Sequence, residues 1–235
     1  MCLDPQKKPD FERIDSMKKA IIFDMDGLMF DSERITWELY KKICLEYGYK
    51  MTYQYYLSLV GSPMTVVRKM LTRHFGEDFP REKIIHQVHD EMDLIFSTEG
   101  VPVKKGLREI LKYAKNANLK TLVATSSDRN RVDRILVYAG VREFISGLVC
   151  GDEVTNGKPA PDIFLKGTEL LGIKPEEAFV LEDSEFGILA AHRANIDVIC
   201  VPDLKQPGNE YKKLTLAVAD TLLEAKDIIK EIVKK

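Results

Sequence analysis

Five short apolar runs recur along the chain, at residues 20–24, 120–125, 146–150, 178–182 and 197–201, and a weaker one at 216–219 suggests an edge strand. Runs of this length, apolar on both faces, are what strands buried in a parallel sheet look like. Amphipathic stretches of helical length lie between most of them, at Gly106–Asn118, Asp128–Ala139, Pro161–Leu171 and Glu185–Ala194. The tail Lys226–Lys235 interleaves charged and apolar residues and predicts a terminal amphipathic helix. Strands alternating with helices predict an α/β fold around a parallel sheet, in which ligands bind beyond the carboxyl ends of the strands.

The alternation fails in one place. From Asp31 to about Gly100 there is no strand pattern, and helical patterns run over Glu33–Tyr47, Thr52–Leu59, Thr65–Phe75 and Glu82–Ser97. Thr52 and Pro63 carry helix-start chemistry, and Gly48, Gly61, Gly76 and Gly100 mark stops. The expected organisation is an N-terminal extension over 1–17, a catalytic core made of 18–30 and 101–235, and a small helical domain over 31–100. That domain would sit over the strand ends.

Composition narrows the function classes. Over 235 residues, 35 Lys and Arg nearly balance 37 Asp and Glu, for a net charge of −2. The balance argues against a general binder of nucleic acid or of a membrane surface. No apolar run approaches the roughly 20 residues that a membrane span needs. The polar stretch Met1–Ser16, with Pro5 and Pro9, does not read as a signal peptide. Cys2, Cys44, Cys150 and Cys200 are scattered and match neither a metal knuckle nor a disulfide framework. A cytoplasmic monomer is the expectation.

Chemistry gathers at four places, all at strand ends or in adjoining loops. The first run closes on Asp24-Met25-Asp26-Gly27. Carboxylates brought close repel unless a cation or a shared proton offsets the charge. A hard cation such as Mg²⁺ takes oxygen ligands and keeps waters or a substrate phosphate. The pair therefore points to metal-assisted phosphoryl or acyl transfer. Thr125-Ser126-Ser127 follows the second run, where hydroxyls and backbone N–H groups suit an anionic oxygen. Lys158 is fixed between Gly157 and Pro159, and Glu182-Asp183-Ser184 ends the fourth run with Gly187 permitting close approach. Each has an ordinary structural role when read alone: a helix cap, a solvated lysine, an N-cap with a dipole partner. Together they read as a site.

In order and spacing these features resemble the four motifs of the haloacid dehalogenase-like hydrolases. Asp24-Met25-Asp26-Gly27-Leu28-Met29-Phe30-Asp31-Ser32-Glu33 matches the first, Thr125 and Ser126 the second, Lys158 the third, and Glu182-Asp183-Ser184 with Gly187 the fourth. The segment Asn156–Phe164 is a further likeness, and the resemblance covers the chain from about Lys18 onward. It implies a Rossmann-like, doubly wound parallel sheet with a small four-helix cap inserted between the first and second motifs. It also implies that Asp24 attacks phosphorus to form an aspartyl-phosphate, and that Asp26 serves as general acid and then base. Mg²⁺ would be held by the Asp24 carboxylate, the Asp26 backbone carbonyl and Asp183, with Glu182 close by or through water. Thr125, the Ser126 backbone and Lys158 would neutralise the transferring oxygens. The implied partner is a small phosphorylated metabolite, a sugar or nucleoside phosphate.

Departures within the family choose among reactions. Asp26 is absent from the dehalogenase branch, so its presence favours phosphoryl chemistry. The β-phosphoglucomutase branch carries a cap histidine where this chain has Thr36, a cap arginine in the loop matching Gly61-Ser62-Pro63-Met64, and a lysine-asparagine pair where this chain has Asp128-Arg129. A Mg²⁺-dependent phosphatase is therefore expected, with a β-phosphoglucomutase-type phosphosugar mutase as the alternative. His86 and His89 read as a solvated helix face rather than a metal pair, and His74 and His192 stand alone. Trp37 and the tyrosines at 47, 49, 53, 55 and 56 read as packing, with one tyrosine available to line a substrate pocket.

Overall fold

The run Ala20–Phe23 is buried on both faces and forms β1, at the centre of the sheet. In the computed structural model residues 17–233 are described, so the extension expected over 1–17 lies outside them apart from Met17. The other strands are β2 (Lys120–Ala124), β3 (Gly147–Val149), β4 (Ala178–Glu182), β5 (Asp197–Cys200) and β6 (Ala217–Val218). Their order is β3-β2-β1-β4-β5-β6, and every neighbouring pair is parallel. This is the parallel α/β sheet that the apolar runs predict, in the Rossmann-like form that the resemblance implies, each strand ending within a residue of its expected bounds.

Five helices lie between β1 and β2, and the first four make the helical insertion: α1 (Ser32–Glu46), α2 (Tyr53–Leu59), α3 (Met64–Phe75) and α4 (Arg81–Glu99). Thr52 caps α2, its hydroxyl accepting from the Tyr55 N–H at 3.2 Å. The sheet is then flanked by α5 (Leu107–Asn116), α6 (Arg129–Tyr138), α7 (Asp162–Leu171), α8 (Glu185–Arg193), the short α9 (Asn209–Lys212) and α10 (Leu222–Val233). The terminal helix begins four residues before the expected Lys226, because Leu222 and Ala225 extend its apolar stripe to Ile229 and Ile232.

Alternation along β1 divides the core in two. Ile21 and Phe23 face a cluster with Leu111 of α5, Ile135 of α6 and Ile229 of α10, which continues into the helical insertion through Ile43 and Val88. Ala20 and Ile22 face the other side, with Phe164 of α7 and Ile188 of α8. Burying each such large side chain stabilises the fold by roughly 1.5–3 kcal/mol.

The strand order reverses at β1, which sits between β2 and β4. Such a switch point opens a crevice where the loops after the two central strands diverge. Asp24 prolongs β1 into it, its N–H donating to the Leu181 carbonyl at 3.0 Å, which sets it abreast of Glu182. α4 packs along α1 and reaches α6, so the insertion stands beside this crevice. No helix among the described residues is long and apolar enough to cross a membrane.

Candidate active site

Lys158 ties the strand ends together. Its Nζ donates to Asp24 Oδ1 at 2.5 Å, to Glu182 Oε1 at 2.5 Å and to the Ala124 carbonyl at 3.2 Å. All three charged side chains are buried. The second oxygen of Glu182 accepts from the Asp183 N–H, the Ser184 N–H and the Ser184 hydroxyl, each at 3.0 Å. Glu182 is thus fully committed: it holds Lys158 with one oxygen and the loop after β4 with the other.

Asp24, Glu182 and Asp183 each offer a carboxylate oxygen within 4.8 Å of one another. Gly27 lets the first loop turn tightly beside them. Its φ is +83°, and a Cβ there would stand 2.5 Å from Asp183 Oδ2. Burial pushes the Asp24 carboxyl up to about 8 even with Lys158 beside it. Burial, then Glu182 and Asp24, hold Asp183 well above the usual carboxylate range. Burial also opposes the charge on Lys158, but Asp24 and Glu182 outweigh it and hold the ammonium above its ordinary value. Ionising all three buried carboxylates against one ammonium would leave negative charge uncompensated. The oxygen donors and that deficit fit a hard divalent cation.

Asp26 stands apart from this cluster. Its Oδ1 accepts from the Ser32 hydroxyl at 2.9 Å and its Oδ2 from the Ser127 hydroxyl at 3.0 Å. The Thr125 hydroxyl oxygen accepts from the Ser127 N–H at 3.2 Å, which shapes the loop after β2, and Ser126 is exposed on that loop. Asp24, Asp26, Thr125, Ser126, Lys158 and Asp183 all line one cavity of about 570 Å³, while Glu182 lies beneath it, away from the lining.

The far wall comes from the insertion, with Glu33 at the end of the first motif and other residues that no motif marks. Glu33 and Tyr56 face the cavity, the Tyr56 hydroxyl donating to the Glu33 carboxylate. Burial pushes Glu33 up to about 7, against the pull of that hydrogen bond. Of the tyrosines at 47, 49, 53, 55 and 56, Tyr56 lines the pocket, as does Tyr40 of α1; Trp37 packs against Tyr53 and Tyr56 with ring centroids 5.1 and 5.5 Å apart, outside the lining. Thr36 also lines the cavity, its hydroxyl donating to the Ser32 carbonyl at 2.9 Å. The reading of His89 as solvated is corrected. His86 is exposed, but His89 flanks the buried stripe of Ile85, Val88 and Met92 and lines the cavity, where burial and Arg131 lower its pKa. Arg131 is buried there too. The available sequence signal was an arginine within the apolar stripe of 131, 132, 135 and 136 on α6.

This fold, with carboxylates at β1 and β4 joined by one lysine, has known counterparts. Residues 21–201 match the family model of haloacid dehalogenase-like hydrolases, and the chain belongs to that family. Within it, the chain is similar to a phosphorylated carbohydrates phosphatase of Thermotoga maritima, 31% identical over 90% of this chain and 96% of that protein. Among solved structures it resembles CbbY from Rhodobacter sphaeroides in complex with phosphate, at a TM-score of 0.75 and 25% identity, over 88% of this chain and 96% of that one. It shares its fold with β-phosphoglucomutase from Clostridium difficile, at a TM-score of 0.75 and 21% identity, over 93% and 98% of the two chains. A β-phosphoglucomutase-like structure from Thermotoga maritima, 30% identical at a TM-score of 0.74 over 91% of this chain and 99% of that one, puts this hydrolase in the β-phosphoglucomutase-like branch.

Proposed function

We propose that the protein is a Mg²⁺-dependent phosphatase of a small phosphomonoester, a sugar or nucleoside phosphate, working through an aspartyl-phosphate on Asp24. The observation that carries this reading is the buried Asp24–Lys158–Glu182 cluster with Asp26 on the cavity wall, outside that cluster. The Thermotoga maritima relative, a phosphatase of phosphorylated carbohydrates, supports the substrate class.

Asp24, Asp183 and the Asp26 backbone carbonyl would hold Mg²⁺, with Glu182 behind them. The ion supplies charge neutralisation for the substrate phosphate. Asp24 attacks phosphorus, and Lys158, Thr125 and the Ser126 backbone neutralise the oxygens of a loose transition state. Asp26 gives its proton to the leaving oxygen and later takes one from the hydrolytic water. The helical insertion over 31–100 acts as a cap that admits substrate and then excludes water. Thr36 in the cap, where a mutase carries histidine, favours hydrolysis over phosphosugar mutation.

The test is a screen of phosphorylated metabolites with Mg²⁺, reading inorganic phosphate. Release from a sugar or nucleoside monophosphate, lost on Asp24→Asn and on adding EDTA, is expected. Turnover that survives Asp24→Asn refutes the reading.

A further inference from the structure

Arg131 lines the cavity from the core side, yet the chemistry above does not use it. It stands in the first turn of α6, where the Asp128 side chain accepts from its backbone N–H at 3.0 Å. Its Nη1 donates to the Ser127 hydroxyl at 3.1 Å, and that hydroxyl donates to Asp26 Oδ2 at 3.0 Å. A serine hydroxyl has one proton and two lone pairs. With Nη1 occupying a lone pair, the Ser127 proton is directed onto Asp26.

The rest of the guanidinium makes longer contacts. Nη2 lies 3.8 Å from Met92 Sδ and 3.9 Å from Asp26 Oδ1. Among the described residues Nε has no hydrogen-bond partner, and Asp93 Oδ1 stands 3.9 Å from it. Holding a charge out of water is costly unless other groups compensate it. Here the compensation comes from Asp26 on the core and Asp93 on α4, with α4 covering the group. Among the described residues, the one hydrogen bond of the fork to an oxygen goes to Ser127, the serine that orients Asp26.

We infer that Arg131 is a positioning residue, which through Ser127 holds Asp26 in the orientation for proton transfer. This rests on the acid/base role proposed for Asp26. In the first step an Asp24 oxygen bonds to phosphorus and the bond from phosphorus to the leaving oxygen breaks. The Asp26 proton passes to that oxygen, leaving Asp26 as the carboxylate that Ser127 and Ser32 hold. A swung Asp26 would still admit substrate but would deliver the proton poorly.

The test compares kcat/KM, which reports this first step, for 4-nitrophenyl phosphate and phenyl phosphate. The nitrophenolate departs without a proton, whereas phenolate, with a conjugate acid near pKa 10, benefits from one. Asp26→Asn sets the signature: a far larger loss on phenyl phosphate. Arg131→Met and Ser127→Ala are expected to lower kcat/KM for phenyl phosphate about 10- to 100-fold and for 4-nitrophenyl phosphate less than about threefold. Equal losses on the two esters, as a structural role would give, overturn the inference, and so does no loss on either, as a ligand for a distal substrate group would give. If Arg131→Met fails to fold, Ser127→Ala decides by the same comparison. An Asp26→Asn enzyme with equal losses refutes the acid/base reading itself and is thereby told apart from failure of the Arg131 assignment alone.

Discussion

Gly187→Ala separates two opposed expectations at one atom. Gly187 is the third residue of α8 and has ordinary helical geometry, so alanine should favour the helix by about 1 kcal/mol. A Cβ at this position would instead lie 1.8 Å from Glu182 Oε1, 1.9 Å from its carboxyl carbon and 2.3 Å from Oε2. The end of a free side chain gives way cheaply. Glu182 is fully buried and cannot, because Lys158, two backbone N–H groups and the Ser184 hydroxyl all hold it. Losing two of these hydrogen bonds to a charged group costs about 3–6 kcal/mol. Less the helix gain, the net loss is about 2–5 kcal/mol, a large part of the ordinary 5–15 kcal/mol of a folded domain. Lys158 loses its anchor as well, so kcat/KM should fall about 100-fold or more. Urea denaturation and initial rates with 4-nitrophenyl phosphate measure both effects. A Gly187→Ala protein at least as stable as wild type, with kcat/KM within threefold, would refute the packing described around Glu182.

Other outcomes follow from the same site. Lys158→Met strips two buried carboxylates of their shared cation, so stability in EDTA should fall by about 3–5 kcal/mol by urea denaturation. Asp24→Asn removes a buried carboxyl that burial penalises, and it should abolish turnover without lowering the metal-free melting temperature. The Asp24 pKa is raised, from 3.8 to about 8, so the folded protein binds its proton more tightly than the unfolded chain. Stability in EDTA should therefore be greatest below pH 4 as far as this group is concerned and decline as pH rises towards 8. Mg²⁺ competes with that proton, so the Mg²⁺-induced rise in melting temperature should grow over the same interval; a rise that shrinks with pH contradicts the metal assignment. With β-glucose 1-phosphate as substrate, phosphate release should outpace formation of the 6-phosphate, and the reverse would favour the mutase.

Much of this was legible in the residues because the relevant positions are set by local rules. A four-residue apolar run closing on Asp24 needs only the parallel-sheet pattern to be placed, and Lys158 and Glu182-Asp183 fall at loops that the same pattern defines. Their convergence through Lys158 depends on strand order, which periodicity does not encode. The division of labour at Glu182 was equally hidden: its hydrogen bonds to the Asp183 and Ser184 backbone arise only once the loop after β4 turns. His89 and Arg131 are illegible in the sequence for one reason. Each is a polar residue at or within an apolar helix stripe, and only the packing of the two helices shows that both face one cavity.

The central claim is a covalent phosphoryl group on Asp24, and reductive trapping measures it directly. The enzyme is quenched during steady-state turnover of 4-nitrophenyl phosphate with Mg²⁺ and treated with borohydride, which reduces an acyl phosphate to the alcohol. Peptide mass spectrometry should then find homoserine at position 24, dependent on both substrate and Mg²⁺. Homoserine at another carboxylate, or none at any position while phosphate is being released, would contradict the account.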